Sequence, residues 1–308
     1  MSELPANSPR WIREGRSRPR VVLLGSGERP HVVSEAEQLR PLIERYAEIL
    51  LTDFRYPEDL SAVDADLAFV FGGDGSILRA AKQMGAKQFP VLGVNLGRLG
   101  FLANVSPRDF RHCLPAICAG QFSVLDHLML QCVVLRDGMT LDRQLGLNEV
   151  SILGGPPYSM LSIELYVDSD LVTTYSCDGL IISTPVGSTA HNLSAGGPIL
   201  RKDLQAFVIS PISPHTLTMR PVVDSAERVY EIVVRQPHDN TTVVLDGVPL
   251  CRLTGGHRVR VERAAPTFKM VEIAGHHYYR TLREKLGWGG DVRSHTPGRE
   301  AEYHESQR

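Results

Sequence analysis

The first 120 residues alternate continuous apolar runs with polar, glycine-rich breaks. Val21 to Leu24, Leu67 to Phe71 and Val91 to Val94 are short unbroken apolar runs, the pattern of strands buried on both faces. From Val33 to Ile49 the apolar residues Ala36, Leu39, Leu42, Ile43 and Tyr46 recur near helical spacing, and Pro41 predicts a kink or break within that helix. Ser106-Pro107-Arg108-Asp109 is a helix start, with a Ser cap, Pro at the first position and an acid three residues after the cap. Strands alternating with helices predict an α/β domain with a mainly parallel sheet.

The pattern changes near Gly120. Leu128 to Leu135, Ser162 to Val167, Leu180 to Ser183, Val229 to Arg235, Thr242 to Leu245 and Val259 to Glu262 read as short strands, and turns such as Arg136-Asp137-Gly138 and Asp239-Asn240 separate some of them. This predicts a mostly-β second domain. Tyr279 to Leu286 is helical again and is expected to dock on the first domain. The expected boundaries are a disordered leader at 1–19, an α/β domain at 20–120, a β-rich domain at 121–264, a docking segment at 265–288 and a flexible tail at 289–308.

Composition narrows the class. With 43% apolar residues in 308, the chain can bury a substantial core, and a net charge of -2 carries no nucleic-acid footprint. No apolar run is long enough to cross a membrane. The five cysteines are scattered without a Cys-x-x-Cys pair, which favours reduced thiols in a cytoplasm over disulfides or zinc. Cys177 reads as a small packed residue rather than a reactive thiol. The leader lacks the apolar core of a secretory signal, and Glu3 and Glu14 interrupt any mitochondrial pattern.

Three segments carry candidate chemistry. The first is Phe-Gly-Gly-Asp-Gly-Ser at Phe71 to Ser76, a strand, a glycine turn and a helix start in one line. Glycines admit close approach of a ligand, and a helix start suits phosphate. Asp74 in the middle would repel an anion, so it points to chemistry: orienting a hydroxyl nucleophile, or holding a metal that neutralises phosphates. The second is Asn148-Glu149, an amide beside a carboxylate, able to bind the vicinal hydroxyls of a sugar. As a lone pair of residues it is nearly non-specific, and a turn residue next to a surface acid is the plainer reading. The third runs from Cys177 to Pro198, an apolar strand entering loops rich in glycine and hydroxyl residues, with Asp178 at its start. Walker A needs a Gly-Lys pair, which is absent; Gly25-Ser26-Gly27 lacks the third glycine of a dinucleotide fingerprint and reads as a plain loop; no His-Glu-x-x-His is present. His215 and the pair His276-His277 read as surface, packing or substrate contacts, and no metal ligands are assigned.

At these segments the chain resembles the NAD kinases, through FGGDGSILRAA, PVLGVNLGRLGFL, LNEVSI, DGLIISTPVGSTAHNLSAGGPIL, SPHTLTMRPVV and LREKLGWGG in that order. The resemblance implies an α/β domain carrying the Gly-Gly-Asp-Gly loop, a β-sandwich domain and a C-terminal return to the first domain. It implies transfer of a phosphoryl group from ATP or polyphosphate, with Mg2+ or another divalent cation, to the adenosine ribose 2′-hydroxyl of NAD. By position, Asp74 resembles the catalytic residue, with Gly72, Gly73, Gly75, Ser76 and Arg79 around it as dinucleotide or phosphate contacts. Asn148 and Glu149 match the adenosine ribose pair, Asp178 the acid near the nicotinamide half, and Thr189, Ala190, His191, Asn192, Leu193 and Ser194 the adenine-side segment. Ser76 keeps the hydroxyl of a common Thr, whereas His191 replaces a common Tyr. Val186, Ser176 and Val248 replace more polar residues and bear on binding strength and on NAD against NADH. The resemblance also implies a homodimer or homotetramer, with no nucleic-acid or membrane partner. The competing readings are another Gly-Gly-Asp-Gly kinase, of phosphofructokinase or lipid-kinase type, and a catalytically silent dinucleotide sensor. No lysine clamp is evident near the loop, Lys82 being one turn into the helix, so Arg79 is the nearest helper.

Overall fold

A computed structural model describes residues 9–56, 58–97, 99–156, 159–273 and 278–287. The first unit comprises α1 (Arg10–Arg13), β1 (Arg20–Gly25), α2 (Pro30–Tyr46), β2 (Glu48–Asp53), β3 (Leu67–Gly72), α3 (Asp74–Met84), β4 (Val91–Asn95), α4 (Pro107–Cys118) and β5 (Ser123–His127). The chain then enters the second unit through β6 (Leu130–Arg136), β7 (Met139–Gly146), β8 (Glu149–Leu153), β9 (Leu161–Val167), β10 (Asp170–Cys177) and β11 (Gly179–Ser183). A short helix α5 (His191–Ser194) precedes β12 (Ala206–Ile212), β13 (Val222–Ser225), β14 (Tyr230–Val234), β15 (Thr242–Leu245), β16 (Val248–Arg252) and β17 (His257–Arg263). The return is β18 (Phe268–Glu272) and α6 (Tyr278–Leu286).

The first sheet has the order β2-β1-β3-β4-β18-β5 and is parallel except for the antiparallel pairing of β5 with β18. Side chains alternate between its faces. Val21, Leu23, Phe69 and Leu92 meet α2 and α4 on one face, while Val22, Leu24, Ala68, Val70 and Val91 meet α3 on the other. The C-terminal segment thus completes the first domain's sheet. Because β5 belongs to this sheet, the change of style near Gly120 precedes the structural crossover by several residues.

The second unit is a sandwich of two antiparallel sheets, ordered β10-β9-β14-β17-β6-β7 and β13-β12-β11-β8-β15-β16. Their inner faces share one core that includes Leu130, Val134, Ile163, Tyr230 and Val259 from the first and Val150, Ile152, Ile182, Phe207 and Val243 from the second. Asp137 and Gly138 both have positive φ, 50° and 81°, as the tight turn between β6 and β7 requires.

Three expectations change. Part of the expected leader is ordered: Trp11 on α1 is buried, stacked with Phe122 at 6.0 Å, and Arg16 pairs with Asp66. Helix α2 runs through Pro41 without a break, because Pro41 and Glu37 are exposed and the carbonyl that proline leaves unpaired faces water. That helix ends at Tyr46, and Glu48–Asp53 forms the edge strand β2. Residues 1–8 of the leader, the tail at 289–308 and His276-His277 lie outside the described residues. Ser106 caps α4 as expected, accepting from the Asp109 N–H at 3.1 Å.

Candidate active site

Strand β3 delivers the glycine loop to the carboxyl edge of the first sheet. Gly72 has φ 140°, a conformation that favours glycine. A Cβ on Gly72 would overlap the Ser76 hydroxyl, so Ser76, a buried residue, packs beneath the turn. Gly73 is the N-cap of α3 and Asp74 its first residue. A Cβ on Gly73 or Gly75 would meet nothing within 4 Å, so packing does not dictate glycine at either position.

Asp74 does not cap its own helix. Its carboxylate reaches across to the loop after β4, where Oδ2 accepts from the Phe101 N–H at 2.8 Å, and Oδ1 from Leu102 at 2.9 Å and Ala103 at 3.0 Å. Three backbone donors fix the side chain, and Oδ2, with one of them, keeps capacity for a further donor. Gly100 lies against the carboxylate: a Cβ there would overlap Oδ1 and stand 2.9 Å from the Ala103 carbonyl oxygen.

Lys202 stands behind the same loop, a residue the sequence reading did not single out. Its Nζ donates to the Phe101 carbonyl at 2.6 Å and lies 5.5 Å from the Tyr278 ring centroid. Desolvation pushes its ammonium down to about 8, against the pull of the Asp74 and Glu272 carboxylates. Lys285 of α6 lies 5.2 Å from the Phe101 ring. The C-terminal helix therefore rests on the loop that holds Asp74.

The sandwich brings its own edge to α3. Leu147 and Val186 are buried in one cluster with Ile77, Ala80 and Ala81 of that helix. Register sets Ser183 of β11 opposite Glu149 of β8, so Asn148-Glu149 adjoins the loop from Thr184 to Ala190. Thr184 N–H donates to the Asn148 carbonyl at 2.8 Å, and a Cβ on Gly187 would overlap that carbonyl. Asp246, another residue the sequence reading missed, organises the turn: its carboxylate accepts the backbone N–H groups of Leu147, Asn148 and Glu149 at 2.8, 2.8 and 3.0 Å. Glu149 is buried with Oε2 unpartnered; burial, helped by Asp246 nearby, pushes its carboxyl up to about 8.

Thr189 ends a short 3-10 turn, Ala190 links it to α5, and His191, Leu193 and Ser194 retain accessible surface on that helix. Asn192 does not. Its amide donates to the Ser188 and Pro198 carbonyls at 3.1 Å each and accepts from the Ser210 hydroxyl at 2.7 Å, so it holds the loop from inside. Asp178 is not gathered either. It precedes β11, whose far end carries Ser183, roughly 16 Å away at about 3.3 Å per residue. Its neighbour is His215, 3.7 Å away. Cys177 is buried, its thiol pushed up to about 11 by desolvation, which fits a packed residue.

Arg79 lies exposed on the outer side of α3, 4.8 Å over the Tyr56 ring. With Ser26, Gly27, Glu28, Arg55 and Tyr56 it lines a cavity of about 300 Å³. Asp53 shapes the loop, accepting from the Arg55 and Tyr56 N–H groups at 2.8 Å each and from the Gln83 amide of α3 at 2.8 Å. The cavity sits beside the crevice between β1 and β3, where the sheet order reverses, the usual ligand position in an open α/β sheet. The Gly25-Ser26-Gly27 segment thus has a position beyond that of a plain loop.

The parallel sheet thus presents the glycine loop at its switch point, with an edge of the β-sandwich packed beside it. Residues 28–122 match the ATP-NAD kinase N-terminal domain and residues 147–273 the ATP-NAD kinase C-terminal domain. An NAD kinase of Rhodopirellula baltica is 54% identical over 280 residues, covering 91% of this chain and 90% of its own. One of Geobacter sulfurreducens is 39% identical over 257 residues, covering 83% and 90%. Among solved structures, an Archaeoglobus fulgidus NAD kinase in complex with ATP superposes with a TM-score of 0.70 at 29% identity, covering 88% of this chain and all of its own. Yeast NADH kinase complexed with NADH shares the fold, with a TM-score of 0.78 at 22% identity over 90% and 89% of the two chains. The chain belongs to the NAD kinase family and is an enzyme. Among the described residues no helix is long and apolar enough to cross a membrane.

Proposed function

We propose that this chain transfers a phosphoryl group from ATP, or from polyphosphate, to the 2′-hydroxyl of the adenosine ribose of NAD, giving NADP. One observation carries the mechanism: the Asp74 carboxylate is fixed by three backbone donors at the mouth of a glycine loop. Its remaining acceptor capacity takes the hydrogen bond of the ribose hydroxyl and aims that oxygen at the phosphorus. Transfer through a loose transition state needs little early proton removal, so positioning supplies most of the acceleration. Asn148 and Glu149 bind the ribose hydroxyls, the unpartnered Oε2 of Glu149 gaining its partner there. Thr189, Ala190, His191, Leu193 and Ser194 form the adenine-side wall, with Asn192 holding them in place.

The donor phosphates lie along Gly72, Gly73 and Gly75 and against Arg79 in its cavity. Among the described residues no three His, Cys, Asp or Glu side chains gather as a metal cage, and most of Asp74's acceptor capacity is already used. These residues do not fit a resident ion; a divalent cation arrives on the triphosphate as part of the donor. Because Asp178 lies at the other end of β11, a second copy of the chain supplies that acid in a homodimer or homotetramer. The five free thiols fit a cytoplasmic enzyme. Incubation with NAD or NADH, with ATP or polyphosphate, and with or without magnesium tests the reading: NADP formed from NAD supports it, and its absence with every donor refutes it.

A further inference from the structure

We propose that Lys202 is a positioning residue for this transfer, fixing the Asp74 carboxylate through the single peptide unit that joins Phe101 to Leu102. The inference rests on the phosphoryl-transfer reading above and adds a residue to it.

The geometry is a short relay. The Lys202 ammonium donates to the Phe101 carbonyl at 2.6 Å. The N–H of that same peptide, on Leu102, donates to Oδ1 of Asp74 at 2.9 Å. A charged donor on a carbonyl withdraws electron density across the amide and strengthens the bond made by its N–H. The ammonium therefore acts on the carboxylate without approaching the hydroxyl that the carboxylate must receive. A lysine in direct contact would occupy that acceptor site.

The ammonium is itself held. Its hydrogen-bond partner is a carbonyl, and its face is covered by the Tyr278 ring of α6. The Tyr278 hydroxyl donates to the Leu200 carbonyl at 2.9 Å, so one aromatic residue fixes both the backbone leading to Lys202 and the charge at its end. The other groups around it are Asp74 on α3 and Glu272 on β18, which favour the charged form, and His127 on β5, whose Nδ1 lies 3.5 Å from the Lys202 carbonyl. Burial lowers His127 to about 4, so at neutral pH it adds no charge. The adjacent Arg201 and Asp203 are paired with each other.

The test compares the parent protein with Lys202→Gln, a neutral donor, and Lys202→Arg. In Lys202→Gln, kcat for NADP formation is expected to fall roughly tenfold, about 1.4 kcal/mol, with KM for NAD and ATP within about twofold. The parent is expected to lose kcat as pH rises through about 8; that loss is expected to vanish in Lys202→Gln and to move upward in Lys202→Arg, which restores most of the turnover. The Leu102 amide, followed by NMR, is expected to shift in the parent as pH passes about 8 and to stay flat in Lys202→Gln. Parent-like kcat in Lys202→Gln, or a raised KM at unchanged kcat, overturns the proposal. Should the parent make no NADP, the reaction is misread. The relay is then judged by the Leu102 amide alone, and a flat parent titration refutes it. The parent titration also serves if Lys202→Gln does not fold.

Discussion

Gly100 lies so close to Asp74 that any side chain added to it would overlap Oδ1 of the carboxylate. The two residues come from different segments, Asp74 at the start of α3 after β3 and Gly100 in the loop following β4. Strands β3 and β4 pair in register from Ala68 with Val91 to Gly72 with Asn95, which brings both segments to the same edge. The donors at Phe101, Leu102 and Ala103 follow directly after Gly100. A glycine there lets the backbone wrap the carboxylate.

Gly100→Ala therefore displaces the acid from its donors. We expect kcat to fall about 100-fold, the scale of a misplacement near 1 Å at a reacting centre, with KM for NAD changed little and the protein folded by circular dichroism. Unchanged kcat would show that the carboxylate's placement does not govern turnover.

Glu149 is buried, one oxygen is unpartnered, and its carboxyl sits at about 8. The folded state thus binds this proton more tightly than the unfolded chain, and stability is lost as pH rises from the ordinary carboxyl range through about 8. Glu149→Gln removes the penalty. Its unfolding free energy is expected to match the parent's at acid pH and to exceed it increasingly up to about pH 8, by at most about 5 kcal/mol, with the melting temperature rising in step. KM for NAD should rise in the same variant. A melting difference that does not grow with pH would contradict the assignment.

Arg79 and Arg55 line the cavity beside the glycine loop. Arg79→Ala is expected to raise KM for ATP about tenfold, the loss of one charge-assisted phosphate contact, while KM for NAD stays within about twofold. The effect should shrink as salt is added. Initial-rate kinetics with each substrate varied would check it, and an effect confined to NAD would reassign the cavity.

Local signals in the chain were legible where the structure is local. The glycine turn between β3 and α3, the Ser106 cap, the Asp137-Gly138 turn and the continuous apolar strands all arise from neighbouring residues. Strand β2 was not legible, since its half-exposed residues continue the apolar spacing of α2 and only the extended backbone at Ala47 separates them. Gly100, Lys202 and Asp246 were missed for one physical reason: each acts on a partner brought near only by strand pairing or domain packing. Asn192 and Asp178 show the reverse case. Their motif is local, but Asn192 turns inward to Ser188, Pro198 and Ser210, and Asp178 is carried away from the rest by the length of β11.

Turnover depends on Asp74 placing a sugar hydroxyl. The direct measurement is steady-state NADP formation by Asp74→Asn, with NAD binding followed separately by calorimetry. The amide cannot accept all three backbone donors and also the hydroxyl, so kcat is expected to fall at least about 100-fold while the Kd for NAD changes less than about threefold. Near-parental turnover with intact binding would contradict the account.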